Sequence, residues 1–186
     1  MAQPILSANG VDAELALFEC LDEFHQQITQ RLAALKQLVD ALEPEGASAE
    51  QRVQALDLAN WFGVEARQHH LDEERHIFPA LLTSADPDLS QHTLRLIQDH
   101  GWIEADWVEV SPVLRAIAEG QGWVDVESLR ASVEVLCQLY LDHIALEETL
   151  AYPEARARME PARAAALLRD IERRRQQRES REDVRA

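Results

Sequence analysis

Four histidines and three glutamates stand where helical spacing would otherwise place apolar side chains. His25 falls between Leu21 and Ile28, and His69 and Glu73 fall between Ala66 and Ile77. His100 and Glu104 lie between Ile97 and Trp107, and His143 and Glu147 lie between Tyr140 and Leu150. Residues i and i+4 share one face of a helix, so each His-x-x-x-Glu pair converges on one point. Inward carboxylates and imidazoles without partners are costly. Metal ions supply the compensation, and these donors suit iron, zinc or manganese. Six or seven donors exceed one tetrahedral zinc site and suit two ions sharing bridging carboxylates.

An internal repeat strengthens this reading. HHLDEERHIFP (69–79) and HIALEETLAYP (143–153) share H-x-x-x-E-E and an aromatic-Pro end. In both, the histidine lies ten residues and the glutamate six residues before the proline. Other residues of these types read as structural. His70 and Glu74 repeat the spacing but lie about 100° around the helix from the stripe, and they read more simply as boundary residues than as ligands. His76 is three residues past Glu73, within reach of it or of a pocket, and His92 reads as a surface residue near a helix start. Tyr140 reads as core, and Phe62 and Trp107 as packing above the site.

The elements that must carry these groups are helices. Phe18, Leu21, Ile28, Leu32, Leu35, Val39 and Leu42 step by three and four, with His25 filling the gap. This predicts a first helix over about 11–42, stopped by Pro44 and Gly46. A second spans about 49–82, with Leu58, Phe62, Ala66, Ile77 and Ala80 near one face. A third begins near Asp88, with Ser90 as a possible cap, and Thr93, Ile97, Trp107 and Leu114 at similar steps. Pro112 should kink it or end its regular part. A fourth follows the Gly120/Gly122 turn, carries Leu129, Val133, Leu136, Tyr140 and Leu150, and is closed by Pro153. Short connections make neighbours antiparallel, so the expected fold is all-α, an up-down-up-down four-helix bundle over 11–153. Strand-like runs, G-x-G-x-x-G, Walker A and G-x-S-x-G patterns are missing, so nucleotide and serine-hydrolase chemistry have no support.

Composition excludes further classes. Eighteen basic and 34 acidic side chains leave a net charge of −16 over 186 residues. Such acidity disfavours nucleic acid, whose affinity rests on Lys and Arg at phosphates, and anionic membranes. No run approaches ~18 apolar residues, and the N-terminus has no signal-peptide pattern. The expectation is therefore a cytoplasmic protein. With two cysteines, Cys20 and Cys137, no disulfide framework is expected, and both read as structural thiols. Charge divides the chain unevenly: 154–186 carries ten arginines against seven acids. That segment reads as an Arg-rich helical or disordered tail, more simply solvated than partner-binding, with Leu167, Leu168 and Ile171 on one side. Residues 1–10 read as an N-terminal arm.

At these motifs the sequence resembles the hemerythrin-like HHE cation-binding family. The shared pattern is a lone His, H-x-x-x-E, a lone His and a second H-x-x-x-E, over about 12–153. Intervals of 44, 31 and 43 residues between the four histidines match the family's helical hairpins. The resemblance implies a non-haem di-iron centre, oxo- or hydroxo-bridged when oxidised. Its ligands would be His25, His69, Glu73, His100, His143 and Glu147, with Glu73 and Glu147 bridging. It implies binding of O2, NO or peroxide for sensing, storage or iron handling, with a di-iron enzyme or an iron-centre repair protein as alternatives. Two features depart from oxygen-carrying relatives. Their third-helix H-x-x-x-H is His100-x-x-x-Glu104 here, and their fourth-helix H-x-x-x-x-D becomes Glu147 at +4 and Glu148 at +5. The lost imidazole argues against reversible oxygen carriage. Glu104 is left open between a seventh ligand and a water-linked role.

Overall fold

Capping chemistry starts three of the long helices. The computed structural model describes residues 10–43, 46–121 and 124–183. The arm expected over 1–10 (save Gly10), the Pro44 stop, Gly122 of the expected turn and 184–186 lie outside the described residues. The first helix is Gly10–Asp40, 31 residues, about 46 Å at 1.5 Å per residue. Ser48 and Gln51 form a reciprocal capping box at the start of the second, satisfying two orphan backbone donors. The third, Pro87–Ala118, is capped by Asp86, whose carboxylate accepts from the Asp88 and Leu89 amides. The expected start near Asp88 with Ser90 as cap gives way to this arrangement, in which Pro87 takes the first-turn position that needs no N–H donor. Asp125 caps the fourth by accepting from the Ser128 amide. Gly120 ends the third helix with φ +77°, a left-handed conformation that side chains resist.

Both helices that carry the sequence repeat contain widened π-helical turns. The second runs over 49–82 as α-helical Ala49–Trp61, Arg67–Asp72 and Phe78–Leu82, joined by π turns Phe62–Ala66 and Glu73–Ile77. The fourth runs as Val126–Leu146, a π turn Glu147–Ala151, and Tyr152–Arg156. Pro153 was expected to close this helix, but the chain stays helical three residues beyond it. Pro112 likewise neither ends nor interrupts the helix Pro87–Ala118.

The first and third helices each pack against the second and fourth, which closes the four-helix ring. The first-helix stripe is buried as expected, from Phe18 to Leu42. On the third helix the stripe is displaced. Leu89, Thr93, Leu96, His100, Ile103, Val110, Leu114 and Ile117 are buried, while Ile97 and Trp107 pack only partly buried at its edge. On the second helix the π turns delay the rotation, so Phe78 and Leu81 turn inward while Ala80 is half-buried. The core forms two apolar clusters. One holds Ile28, Leu35, Phe62, Ile103 and Leu136, and the other holds Leu17, Leu21, Phe78, Leu96 and Tyr152. Among the described residues there is no β-strand, only an isolated bridge between Glu43 and Gly46. Among the described residues no helix is long and apolar enough to cross a membrane.

The Arg-rich segment is a fifth helix, Pro161–Asp183, laid against the first. The simpler expectation of a solvated tail does not hold. Ala164, Leu167 and Ile171 are buried in the second apolar cluster. Arg174 pairs with buried Asp72 at 2.8 Å, and the Arg163 guanidinium donates to the Arg75 carbonyl at 3.4 Å. A thin stripe is enough because the bundle supplies the other half of the interface. Leu167→Ala should therefore destabilise the protein by about 2–4 kcal/mol in urea unfolding. Val135→Ala, 59% exposed, should shift it by less than about 0.5 kcal/mol.

Candidate metal centre

Between the two apolar clusters, the four helices bring a polar knot to one place. His25 is on the first helix, His69 and Glu73 on the second, His100 on the third, and His143 and Glu147 on the fourth. All six are buried, and both glutamates show 0% exposure. The site residues expected from sequence are together, except one. Glu104 is exposed and forms an ion pair with Arg67 at 3.3 Å. On the third helix, position 100 faces the bundle axis while the backbone rotation carries 104 to the outer edge, where the side chain reaches solvent and a guanidinium.

The two carboxylates divide their oxygens between two pairs of imidazoles. Glu147 Oε1 lies 3.1 Å from His143 Nε2 and 3.9 Å from His100 Nε2, while its Oε2 lies 3.2 Å from His25 Nε2. Glu73 Oε2 lies 3.5 Å from His100 Nε2. Its Oε1 lies 3.4 Å from His69 Nε2 and 3.9 Å from His25 Nε2. One donor set is therefore His25, His69, Glu73 and Glu147, and the other is Glu73, His100, His143 and Glu147, each with donor atoms within 4.8 Å of one another. His100 Nε2 and His143 Nε2 are 3.0 Å apart. That is the separation of two adjacent donors each about 2.1 Å from one ion.

Orphaned polar atoms test whether this donor set fits cations. Both Glu147 oxygens, Glu73 Oε2 and His69 Nε2 are buried and make no hydrogen bond. Buried polar groups are otherwise nearly always paired, so these atoms are arranged for positive charge between the carboxylates. Titration tells the same story. Burial and the neighbouring Glu147 push Glu73 upward. Burial also opposes ionisation of Glu147, but His143 and His25 outweigh it and hold that carboxyl well below its usual range. His143 is depressed by burial yet raised to about 10, chiefly by Glu147, with Asp99 assisting. Protons on imidazoles thus balance the carboxylates when cations do not, and metal uptake must displace them.

A ring of outer groups orients the donors. His25 Nδ1 meets Glu148 Oε1 at 3.1 Å, and His100 Nδ1 meets Glu74 Oε1 at 2.9 Å. Each contact directs Nε2 inward, as carboxylate-histidine-metal triads do. Tyr152 stacks on His25 at 5.1 Å, and Phe78 stacks on His100 at 5.6 Å. Every part of the repeat therefore has a use. The first glutamate enters the centre. The second grips the lone histidine of a neighbouring helix, and the aromatic before proline stacks on that same histidine. Sequence reasoning missed the outer roles of Glu74 and Glu148, although the E-E doublet in both repeats was the signal. It missed Tyr152 too, whose hydroxyl donates to Glu73 Oε1 at 2.5 Å and lies 3.0 Å from His25 Nε2.

The π turns place the aromatics. The Phe78 amide donates to the Glu73 carbonyl, and the Tyr152 amide to the Glu147 carbonyl, five residues back. In an α-helix, a residue five positions on points about 140° away. The widened turn brings it back beneath the glutamate. The next residue, Pro79 or Pro153, explains the widening, because a proline ring clashes with the carbonyl four residues earlier. Such turns recur at functional sites.

The remaining residues fall mostly as expected. His92 is exposed, with Nδ1 2.7 Å from the Asp88 carbonyl. His76 is half-buried and outside both donor sets. Phe62 and Trp107 pack together at 5.1 Å beside the centre. Cys20 and Cys137 are free, and burial raises the Cys137 thiol to about 11, which makes it inert. The exception is His70. It is not a boundary residue but is 3% exposed, against His100 and His143. Adjacent helix positions differ by about 100°, close to the angle between two neighbours in a bundle. His69 therefore faces the first helix, and His70 faces the third and fourth.

Residues 16–155 match the family model described as the hemerythrin HHE cation binding domain. A protein of Haemophilus influenzae described as uncharacterized is 29% identical over 132 residues, covering 71% of this chain and 74% of the relative. No solved structure matches. If the outer carboxylates orient the donors, Glu74→Gln and Glu148→Gln should each weaken metal affinity roughly 10–100-fold in chelator competition. Glu104→Gln should leave it unchanged. Metal uptake at neutral pH should also release protons, measurable with an indicator dye in weak buffer, and apparent affinity should rise with pH.

Proposed function

The chain belongs to the hemerythrin HHE cation-binding domain family, and from that premise we propose that it is a non-haem di-iron protein that takes up O2, NO or a related small oxidant, for sensing, storage or iron handling. One observation carries the reading: two fully buried carboxylates each offer one oxygen to each of two imidazole pairs. A single ion would leave half of these donors unused. In this reading His25 and His69 would hold one iron, His100 and His143 would hold the other, and Glu73 and Glu147 would serve both. A reduced iron pair supplies electrons and an open position to a diatomic or peroxide.

The chain's own residues control access and protons. A cavity of about 480 Å³, lined by Phe62, Ile103, Trp107 and Tyr140 among others, reaches His70, whose ring stacks on His100. Its largely apolar wall suits small uncharged molecules and disfavours hydrated ions. The two core clusters keep bulk water from the bundle on either side of the centre. Glu148 and Glu74 keep Nδ1 of His25 and His100 engaged, so that Nε2 stays directed at the centre. The Tyr152 hydroxyl, held between Glu73 and His25, places a phenol proton donor beside one donor set.

That phenol favours one alternative, a di-iron enzyme reducing peroxide or NO or oxidising Fe2+, because a hydroxyl at the centre can pass a proton to a reacting oxygen. The test loads the protein anaerobically with Fe2+ and counts metal. Close to two irons per chain are expected, and a value near zero would end the di-iron reading. The reduced protein is then exposed in turn to O2, NO and H2O2. A stable adduct spectrum supports binding, whereas many turnovers that Tyr152→Phe slows support catalysis.

A further inference from the structure

The two halves of the centre are built alike but equipped differently. On the His25 side, the Tyr152 hydroxyl reaches into the donor set. On the His100 side the equivalent residue is Phe78, which has no polar atom, and the expected Glu104 faces solvent. That side instead contains His70. Its ring is buried, and neither Nδ1 nor Nε2 has a hydrogen-bond partner. A nitrogen of His70 lies within 4.8 Å of donor nitrogens of both His100 and His143, and the three form a donor group of their own. A buried imidazole with two idle nitrogens costs free energy, so its place beside two other imidazoles calls for a ligand.

We propose that His70 is the third imidazole of the ion held by His100 and His143, supplying from the second helix the further donor that Glu104 does not supply from the third. The inference rests on the di-iron reading above. The His70 ring now stacks on His100 at 4.1 Å and 12°. Two imidazoles on one ion do not stack in parallel, so ligation turns the His70 ring out of this stack. The room for that turn is the cavity of about 480 Å³ that His70 itself lines. His70 thereby stands between the cavity and that half of the centre.

The test compares wild type, His70→Leu, His70→Ala and the exposed control His92→Ala, all loaded anaerobically with Fe2+. Leucine fills the ring's volume without polar atoms, so a merely structural imidazole would leave iron binding intact and stability equal or higher. Ligation predicts otherwise. One of the two irons should leave His70→Leu at least tenfold faster to a chelator, and proton NMR of the oxidised protein should lose one iron-shifted imidazole N–H resonance. Free imidazole should slow that loss in His70→Ala by entering through the cavity, while His92→Ala should behave as wild type. Two tightly held irons and an unchanged set of shifted resonances in His70→Leu overturn the proposal. Wild type failing to hold two irons would instead overturn the di-iron reading, and a leucine variant that folds by circular dichroism keeps the two failures apart.

Discussion

Everything in this bundle is arranged around two carboxylates at 0% exposure that share one buried volume. A carboxylate removed from water costs several kcal/mol even after relaxation, and two of them repel each other as well. The protein does not neutralise them with Arg or Lys; within reach they have only imidazoles and one phenol. Imidazole is the side chain that can yield its place to a metal near neutral pH by giving up a proton. The donor set therefore stays intact in either state, with protons or cations balancing the charge. This separates the centre from an ordinary buried salt bridge, whose partners are fixed.

The apolar core serves this constraint. The polar knot splits the interior into two clusters, with Leu21 and Phe78 on one side and Ile28 and Ile103 on the other. Each long helix must therefore pass from apolar to polar to apolar on one face without losing register. The π turns that begin at Glu73 and Glu147 do this work for the two helices that give the most donors. They also bring Phe78 and Tyr152 against the histidines of neighbouring helices. The fifth helix closes the arrangement from outside. Arg174 holds Asp72, the residue before Glu73, and Arg163 reaches the Arg75 carbonyl, the one that the Pro79 ring would crowd in a regular α-helix. Arg163 and Arg174 of the fifth helix thus tie down the most strongly perturbed stretch of the second helix.

The sequence repeat becomes an approximate twofold relation in space. Each H-x-x-x-E-E-plus-aromatic-Pro unit serves its own glutamate and the lone histidine next door, with Glu74 and Phe78 on His100, and Glu148 and Tyr152 on His25. The departures from symmetry mark where the two halves differ in chemistry. Tyr152 carries a hydroxyl that Phe78 lacks, and His70 has as its counterpart in the second repeat Ile144, a purely apolar side chain. In the function proposed above, unlike halves would let a small molecule enter on one side.

The residues by themselves pointed to the four-helix bundle and to seven candidate donors, Glu104 among them, because one-turn spacing and interrupted apolar stripes are properties of a single helix. The family pattern named six of the seven. What depends on two helices at once was decided only by the tertiary structure. Whether Glu104 turns inward is set by the rotation of the third helix against its neighbours, and it turns out to Arg67. Whether His70 is boundary or core is set by the corner between the third and fourth helices. Whether Leu167 and Ile171 suffice to dock a helix depends on an apolar surface contributed by distant residues such as Leu17 and Leu21. Periodicity in one chain reports which face is apolar. Only the packed partners report how wide the buried arc is, and here that width decides which imidazoles meet the metal-binding core.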